Sequence, residues 1–162
     1  MNPFAVAILA YVTLERLFEL VFASRNTNRL RALGAREYGA RHYPLIVAVH
    51  LLWLASLWFF ARERAPDPFW LAMYVLLQAA RIWVLSTLGP RWTTRVLVVP
   101  GEDLVKEGPY RFLNHPNYWV VAGEIAVLPL VFGFWDLALV FSLLNAAVLT
   151  IRIREENRAL GR

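Results

Sequence analysis

Nearly unbroken apolar sequence over residues 3–22, 43–61 and 69–88, each about the 20 residues that cross a bilayer's hydrocarbon, leaves this chain few ways to fold except as membrane-embedded helices. In hydrocarbon every backbone polar group must be satisfied within its own segment or a closed barrel, so apolar runs of this length read as helices. A fourth apolar region, residues 118–151, is long enough for two spans. It is interrupted at Phe132-Gly133-Phe134-Trp135-Asp136, where Gly133 and Asp136 suit a tight turn. The expected fold is all-α and integral to the membrane, with five transmembrane helices of which the last two form a hairpin. Residues 1–162 read as one membrane domain, residues 1–88 supplying three helices and 89–162 the rest. A hydrophobic fraction of 59 % and a mean hydropathy of +0.46 agree with this and not with an ordinary soluble domain. Met1-Asn2-Pro3 brings no basic segment and no small-residue cleavage site follows, so the first span is expected to be retained.

The net charge of +5 is distributed as a topology signal. Thirteen of the 17 Lys and Arg residues fall in segments 23–42, 89–117 and 152–162, whereas the opposite loops hold only Arg62 and Arg64. By the positive-inside bias the N-terminus lies outside and the C-terminus in the cytoplasm, in a multi-pass protein of a bacterial inner membrane. Nucleic-acid binding is thereby a poor reading of the basic excess. All long polar segments then share the cytoplasmic face, and a water-soluble cofactor has to bind there. Cysteine is absent, which excludes thiolate ligands and Cys nucleophiles. Three histidines with no acidic residue at ligand spacing argue against a metal site.

The segment Gly108-Pro109-Tyr110-Arg111-Phe112-Leu113-Asn114-His115-Pro116-Asn117-Tyr118 is polar, proline-punctuated and wedged between spans. Val96 to Val99 suits a brief extended piece, and Pro100-Gly101 and Gly108-Pro109 suit turns. Proline favours the first helical position, so His115 falls at the N-cap of the fourth helix, whose free N–H groups suit a carboxylate. Taken alone, Asn-His-Pro is more often a plain helix start. Glu124, deeper in that helix, is an ionisable group at membrane depth, which implies a cavity or a partner; Arg81, Arg16 and His50 are the structural candidates. Glu15, Arg16 and Glu19 have the spacing of interhelix glue. Arg152 and Glu156 stand i,i+4 on the helix leaving the membrane, which also suits a solvated helix end with internal ion pairs.

Together these pieces resemble the isoprenylcysteine carboxyl methyltransferase family of integral membrane enzymes. The resemblance rests on Gly108-Pro109-Tyr110, His115-Pro116-Asn117-Tyr118, the hairpin of spans four and five, and Arg152 with Glu155-Glu156, over roughly residues 89–160. It implies S-adenosylmethionine as cofactor, in a pocket lined by Arg95, Glu102, Asp103, Leu104, Val105, Tyr110, His115, Pro116, Asn117 and Tyr118. It also implies Arg152 and Glu156 as the catalytic, substrate-side pair; Glu124 and His50, ionisable groups at membrane depth, are the further candidates for substrate contact beside their structural readings. One position departs from the pattern: Asn114 stands where the family usually has a basic residue before His-Pro, and Arg111 is the substitute nearest in sequence. On Arg41-His42-Tyr43-Pro44, Arg91-Trp92-Thr93-Thr94 and Glu124 the short chain looks like the small bacterial branch of the family, some members of which methylate long-chain pyrones or phenolic lipids. The expected activity is O-methyl transfer to a lipophilic acceptor entering from the bilayer, either an acidic hydroxyl or an isoprenylcysteine-type carboxylate. Two rival readings share the hydropathy, an NADPH-dependent membrane reductase of the sterol-reductase kind and a non-enzymatic membrane scaffold.

Overall fold

The computed structural model describes residues 1–161. Five helices form the body: α1 (Pro3–Ala32), α2 (Tyr43–Phe60), α3 (Pro68–Leu88), α4 (Pro116–Val131) and α5 (Trp135–Ala159). Two short strands, β1 (Arg36–Tyr38) and β2 (Val96–Val98), pair antiparallel with Glu37 opposite Leu97. The extended piece expected near residues 96–99 is therefore present, and its partner in 36–38 adds a small sheet to a fold that is otherwise helical. Single turns of 3-10 helix at Ala40–His42, Gly89–Arg91 and Gly108–Arg111 complete the polar end.

Local sequence explains most helix boundaries. Asn2 caps α1 by accepting from the Phe4 amide at 3.0 Å, and Asp67 caps α3 from the Phe69 and Trp70 amides at 2.9 and 3.1 Å. Each is followed by a proline at the first helical position, where its missing N–H removes nothing. His115 and Pro116 open α4 in the same register. At the hairpin, α4 stops after Pro129 and Gly133 turns the chain with φ +79°. Asp136 lies one step beyond that turn, in the first turn of α5.

The first helix departs most from expectation. It runs ten residues past the apolar stretch, through Ala23 to Ala32, because that extension docks Asn26, Thr27 and Leu30 into the interior. Asn26 donates to the carbonyls of Gly89 and Trp92 at 3.1 and 2.8 Å, and Phe22 stacks on Trp92 with centroids 5.8 Å apart.

α2, α3 and α5 are long and apolar enough to cross a membrane by length and composition; α4, with 16 residues, is shorter, about 24 Å at 1.5 Å per residue. α1 carries Glu15, Arg16 and Glu19 within its apolar stretch. Leu9, Val12, Trp53, Leu57, Ile125, Leu128 and Phe141 share one continuous core, while Phe18, Phe59, Ile82, Leu139 and Leu143 face outward. That distribution suits lipid surroundings and not water. The chain is an all-α membrane protein in its body.

At one end of the bundle the Asn2 amide binds the Arg62 carbonyl and the Asp67 amide binds the Val131 carbonyl, at 2.9 and 2.7 Å. The long polar segments all collect at the other end. Gly108 seats them there: at φ +52°, an added Cβ would stand 2.4 Å from the Thr87 hydroxyl at the end of α3, so only glycine allows this approach.

Candidate functional site

The polar end encloses a cavity between β2, the loop after it, the start of α4 and the last turns of α5. Of the ten positions implied for a cofactor, nine face this cavity: Arg95, Glu102, Asp103, Leu104, Val105, Tyr110, His115, Asn117 and Tyr118. Pro116 does not line it and is buried at the first position of α4, where its contribution is to fix the helix start. Arg152 and Glu156 line the same space. Burial, and then the nearby Glu156 carboxylate, push the Tyr110 hydroxyl above its usual range, so it remains a neutral donor.

Arg152 and Glu156 are joined through a third residue. Arg152 is 7 % exposed; its Nε donates to the Tyr118 hydroxyl oxygen and one Nη to the Thr94 carbonyl, both at 2.7 Å. The Tyr118 hydroxyl in turn donates to Glu156. His115 continues the chain, with Nδ1 3.6 Å from Glu156 and Nε2 3.0 Å from Asn157 Oδ1. Since an amide oxygen only accepts, Nε2 carries a proton. The His115 and Tyr118 rings stack with centroids 5.4 Å apart. Two turns of α5 and the first turn of α4 thus lock together at the mouth of the cavity. The terminal ion pair on α5 is made by Arg158 with Glu155, at 3.0 Å.

Glu37, which sequence reasoning passed over, helps hold this geometry. Glu37 accepts from Arg31 at 2.6 Å and from Arg95 at 2.5 Å, and the Arg95 guanidinium lies 4.3 Å over the Tyr43 ring. Burial opposes ionisation of Glu37, but hydrogen bonds from Arg95 and Arg31, and their charges, hold the carboxyl below its usual range. Tyr43 bonds Thr94 at 3.1 Å, which ties the support of Arg95 to that of Arg152. Asn157 likewise has no local signature; only its contact with His115 reveals it. Arg111, the suggested substitute for a base at position 114, does not line the cavity and sits over Phe112. Arg91 lines the cavity, where it donates to the Asp103 carbonyl at 2.8 Å and pairs with Glu102 at 3.1 Å.

Glu124 and His50 do not line this cavity. Glu124, 2 % exposed, belongs to a closed network deeper in the bundle. It pairs with Arg81 at 2.7 Å and Arg16 at 3.2 Å, and accepts from Gln78 at 2.9 Å. Arg81 also pairs with Glu19 through two bonds, and Arg16 with Glu15 and Glu19 at 3.0 Å each. Three carboxylates and two guanidiniums therefore tie α1, α3 and α4 together, as the spacing of Glu15, Arg16 and Glu19 suggested. His50 Nδ1 bonds the Ile46 carbonyl of its own helix at 2.8 Å.

The pattern of the isoprenylcysteine carboxyl methyltransferase (ICMT) family matches residues 70–162, which include α4, α5 and every cavity residue except Leu30. Among curated proteins, the uncharacterized protein YpbQ of Bacillus subtilis (strain 168) is 39 % identical over 158 residues, covering 94 % of each chain. An uncharacterized protein of Haemophilus influenzae is 24 % identical over 152 residues, covering 90 % of this chain and 88 % of its own. No solved structure matches. With the hairpin, the Gly-x-Tyr and His-Pro-x-Tyr segments and the Arg152 to Glu156 turn meeting at one cavity, and with the family pattern running over more than half its length, the chain belongs to the isoprenylcysteine carboxyl methyltransferase family.

Proposed function

We propose that this protein is an S-adenosylmethionine-dependent O-methyltransferase acting on a lipophilic acceptor at the cytoplasmic face of a bacterial inner membrane. In this reading all five helices cross the bilayer, α1 and α4 with their polar groups turned inward, and the N-terminus is outside. The polar end with its cavity then faces the cytoplasm, in keeping with the clustering of basic residues there.

The observation that carries the cofactor reading is the chemistry of the cavity wall. Arg91, Arg95 and Arg152 are matched by Glu102, Asp103 and Glu156, a lining without excess positive charge. Asn117 Oδ1 and Trp92 Nε1 are buried there with no hydrogen-bond partner among the described residues. An orphaned acceptor and an orphaned donor fit a ligand that offers both ammonium and carboxylate. They suit a dinucleotide with several phosphates less well, because that ligand wants unpaired bases. S-adenosylmethionine, when bound, supplies an electrophilic methyl on a sulfonium.

The protein's own residues then have separable tasks. Arg91, Arg95, Glu102, Asp103 and Asn117 hold the polar ends of the cofactor, and Leu104 and Val105 cover its apolar parts. Arg152 directs the acceptor oxygen: two of its nitrogens are fixed by Tyr118 and Thr94, and its remaining Nη has no partner among the described residues. Glu156 holds Tyr118, and through it the plane of the Arg152 guanidinium. Displacement at methyl needs an ionised oxygen in line and partly stripped of water, so orientation is the main contribution, on the order of 7 kcal/mol in favourable cases. A guanidinium that bound the oxyanion too tightly would quench its nucleophilicity, and Arg152 is therefore assigned positioning more than neutralisation.

Calorimetric titration of the purified protein with S-adenosylmethionine and with NADPH separates this reading from the reductase. Saturable binding of the sulfonium and none of NADPH is the expected result. The opposite pattern would move the assignment to a reductase, and binding of neither would favour a scaffold.

A further inference from the structure

Glu15 lies 12 residues after Pro3 and 11 before Asn26 on α1, about 17 Å from either at 1.5 Å per residue. That is the middle of a hydrocarbon layer about 30 Å thick. Its side chain is 15 % exposed, and Tyr11 and Phe18, one turn to either side of it on α1, present exposed rings. The open edge of Glu15 therefore meets lipid tails and not water. An ionised carboxylate at that depth is costly unless a cation compensates it.

The cluster around Glu15 is short of one cation. The charged groups that face it are Arg16, Arg81, Glu124 and Glu19, so three carboxyl groups share two guanidiniums, and they share them unequally. Glu19 takes two bonds from Arg81 and one from Arg16 at 3.0 Å. Glu124 is bonded by Arg81, Arg16 and Gln78, and Tyr11 donates to Gln78 at 3.4 Å. Among the described residues Glu15 has one Nη of Arg16 at 3.0 Å, and the same nitrogen also serves Glu124 at 3.2 Å. His50, the titratable group that α2 brings within reach of the cluster, has Arg16, Arg81 and Arg152 as its charged neighbours, a poor place for a further cation. No set of His, Cys, Asp and Glu side chains placed to hold a metal ion occurs among the described residues. A proton is the cation that remains.

A second observation points the same way. Tyr74 is 2 % exposed, and its hydroxyl has no hydrogen-bond partner among the described residues. It stands four and seven residues before Gln78 and Arg81 on the buried stripe of α3, with Glu124, Arg16, Glu15 and Arg81 as its charged neighbours. The cluster therefore includes a buried hydroxyl left unsatisfied, which is costly. A protonated carboxyl has an O–H to give, which an ionised one lacks, and the phenol oxygen can take that bond through one water.

We propose that Glu15 is a proton-binding site in the middle of the membrane: it holds one proton at neutral pH, which neutralises the cluster, and its acid O–H is bonded to the Tyr74 hydroxyl through one water. The inference goes beyond methyl transfer and does not depend on what fills the polar cavity. Loss of the proton leaves one uncompensated negative charge between α1, α3 and α4. The folded chain thus carries a proton that the unfolded chain gives up above the ordinary Glu value of about 4.3. The stability this site contributes is full below that value and is lost as pH rises above it, by up to about tenfold in the folding constant per pH unit.

The test is infrared spectroscopy of the intact protein at neutral pH in dodecyl maltoside, a detergent without a carbonyl. An acid carbonyl band above the amide band, shifted in heavy water, is expected in the wild type and in Glu63→Gln, a change in the exposed loop after α2. Glu15→Gln is expected to lose it. Tyr74→Phe is expected to keep the band and move it, because the acid loses its hydrogen-bond partner. The thermal midpoint of the wild type, taken relative to Glu15→Gln, is expected to fall from mildly acidic to mildly alkaline pH. No acid band in the wild type, as a proton on His50 would give, overturns the proposal. So does a band that Glu15→Gln retains, a Tyr74→Phe band at the wild-type position, or parallel midpoint curves for the wild type and Glu15→Gln. Glu15→Leu replaces the glutamine variant if that one does not fold, and the wild-type spectrum needs no variant.

Discussion

Arg152→Ala is expected to slow methyl transfer by roughly 10²–10³-fold, the usual effect of removing one fixed donor from a charge-developing centre, while S-adenosylmethionine binding changes only a few-fold. The reason lies in how the side chain is held. Arg152 is buried, two of its nitrogens are occupied by Tyr118 and Thr94, and only the third is free to meet an acceptor. The cofactor contacts assigned to Arg91, Arg95, Glu102, Asp103 and Asn117 do not pass through it. Arg152→Lys is expected to recover little activity, because an ammonium cannot hold the Tyr118 oxygen and the Thr94 carbonyl in the same plane while presenting a third donor. Initial rates with labelled cofactor, read beside a calorimetric binding curve, separate the two effects. An unchanged rate, or loss of rate and binding in equal measure, would remove Arg152 from the acceptor side.

The second large effect concerns stability. Arg81→Ala is expected to destabilise the fold by about 3–5 kcal/mol, the cost of breaking a buried ion pair from one side, and to appear as a large drop in the thermal midpoint in a fixed detergent. Arg81 is 4 % exposed and neutralises both Glu19 and Glu124, so its removal leaves three carboxylates around Arg16 alone. Adding Glu19→Gln and Glu124→Gln to the same chain should restore much of the loss, because a neutral amide does not carry the desolvation cost of a carboxylate. If Arg81→Ala melts like the wild type, the network is not what holds α1 to α3 and α4. Such a result would reopen Glu124 as a group reserved for substrate.

What could be read in advance divides along the range of the interactions. The apolar stretches, the hairpin at Gly133 and the helix start at His115-Pro116 are local and were legible, since hydropathy and proline act over a few residues. The extension of α1 past its apolar stretch was not, because Arg25-Asn26-Thr27-Asn28-Arg29 is polar throughout and its docking, through Asn26 on the carbonyls of Gly89 and Trp92, is with residues far along the chain. Arg36-Glu37-Tyr38 has no alternating pattern to announce a strand, and its partner Val96–Val98 lies beyond both α2 and α3 in the chain. In the candidate site, the members of the His-Pro-x-Tyr and Arg-x-x-x-Glu segments were named by motif. Glu37 and Asn157 were not, since each acts through a contact with a distant residue. The Tyr118 bridge between Arg152 and Glu156 was hidden for the same reason: an i,i+4 spacing suggests a direct pair, and the structure inserts a hydroxyl.

Methyl transfer from S-adenosylmethionine to a lipid is the activity proposed for this chain. Its most direct test is transfer of label from methyl-tritiated S-adenosylmethionine into the chloroform-extractable lipid of host membranes, comparing the intact protein with His115→Ala. Label is expected in a discrete lipid species with the intact protein and is expected to disappear with His115→Ala. Absence of labelled lipid together with absence of cofactor binding, or label that His115→Ala leaves untouched, would contradict it.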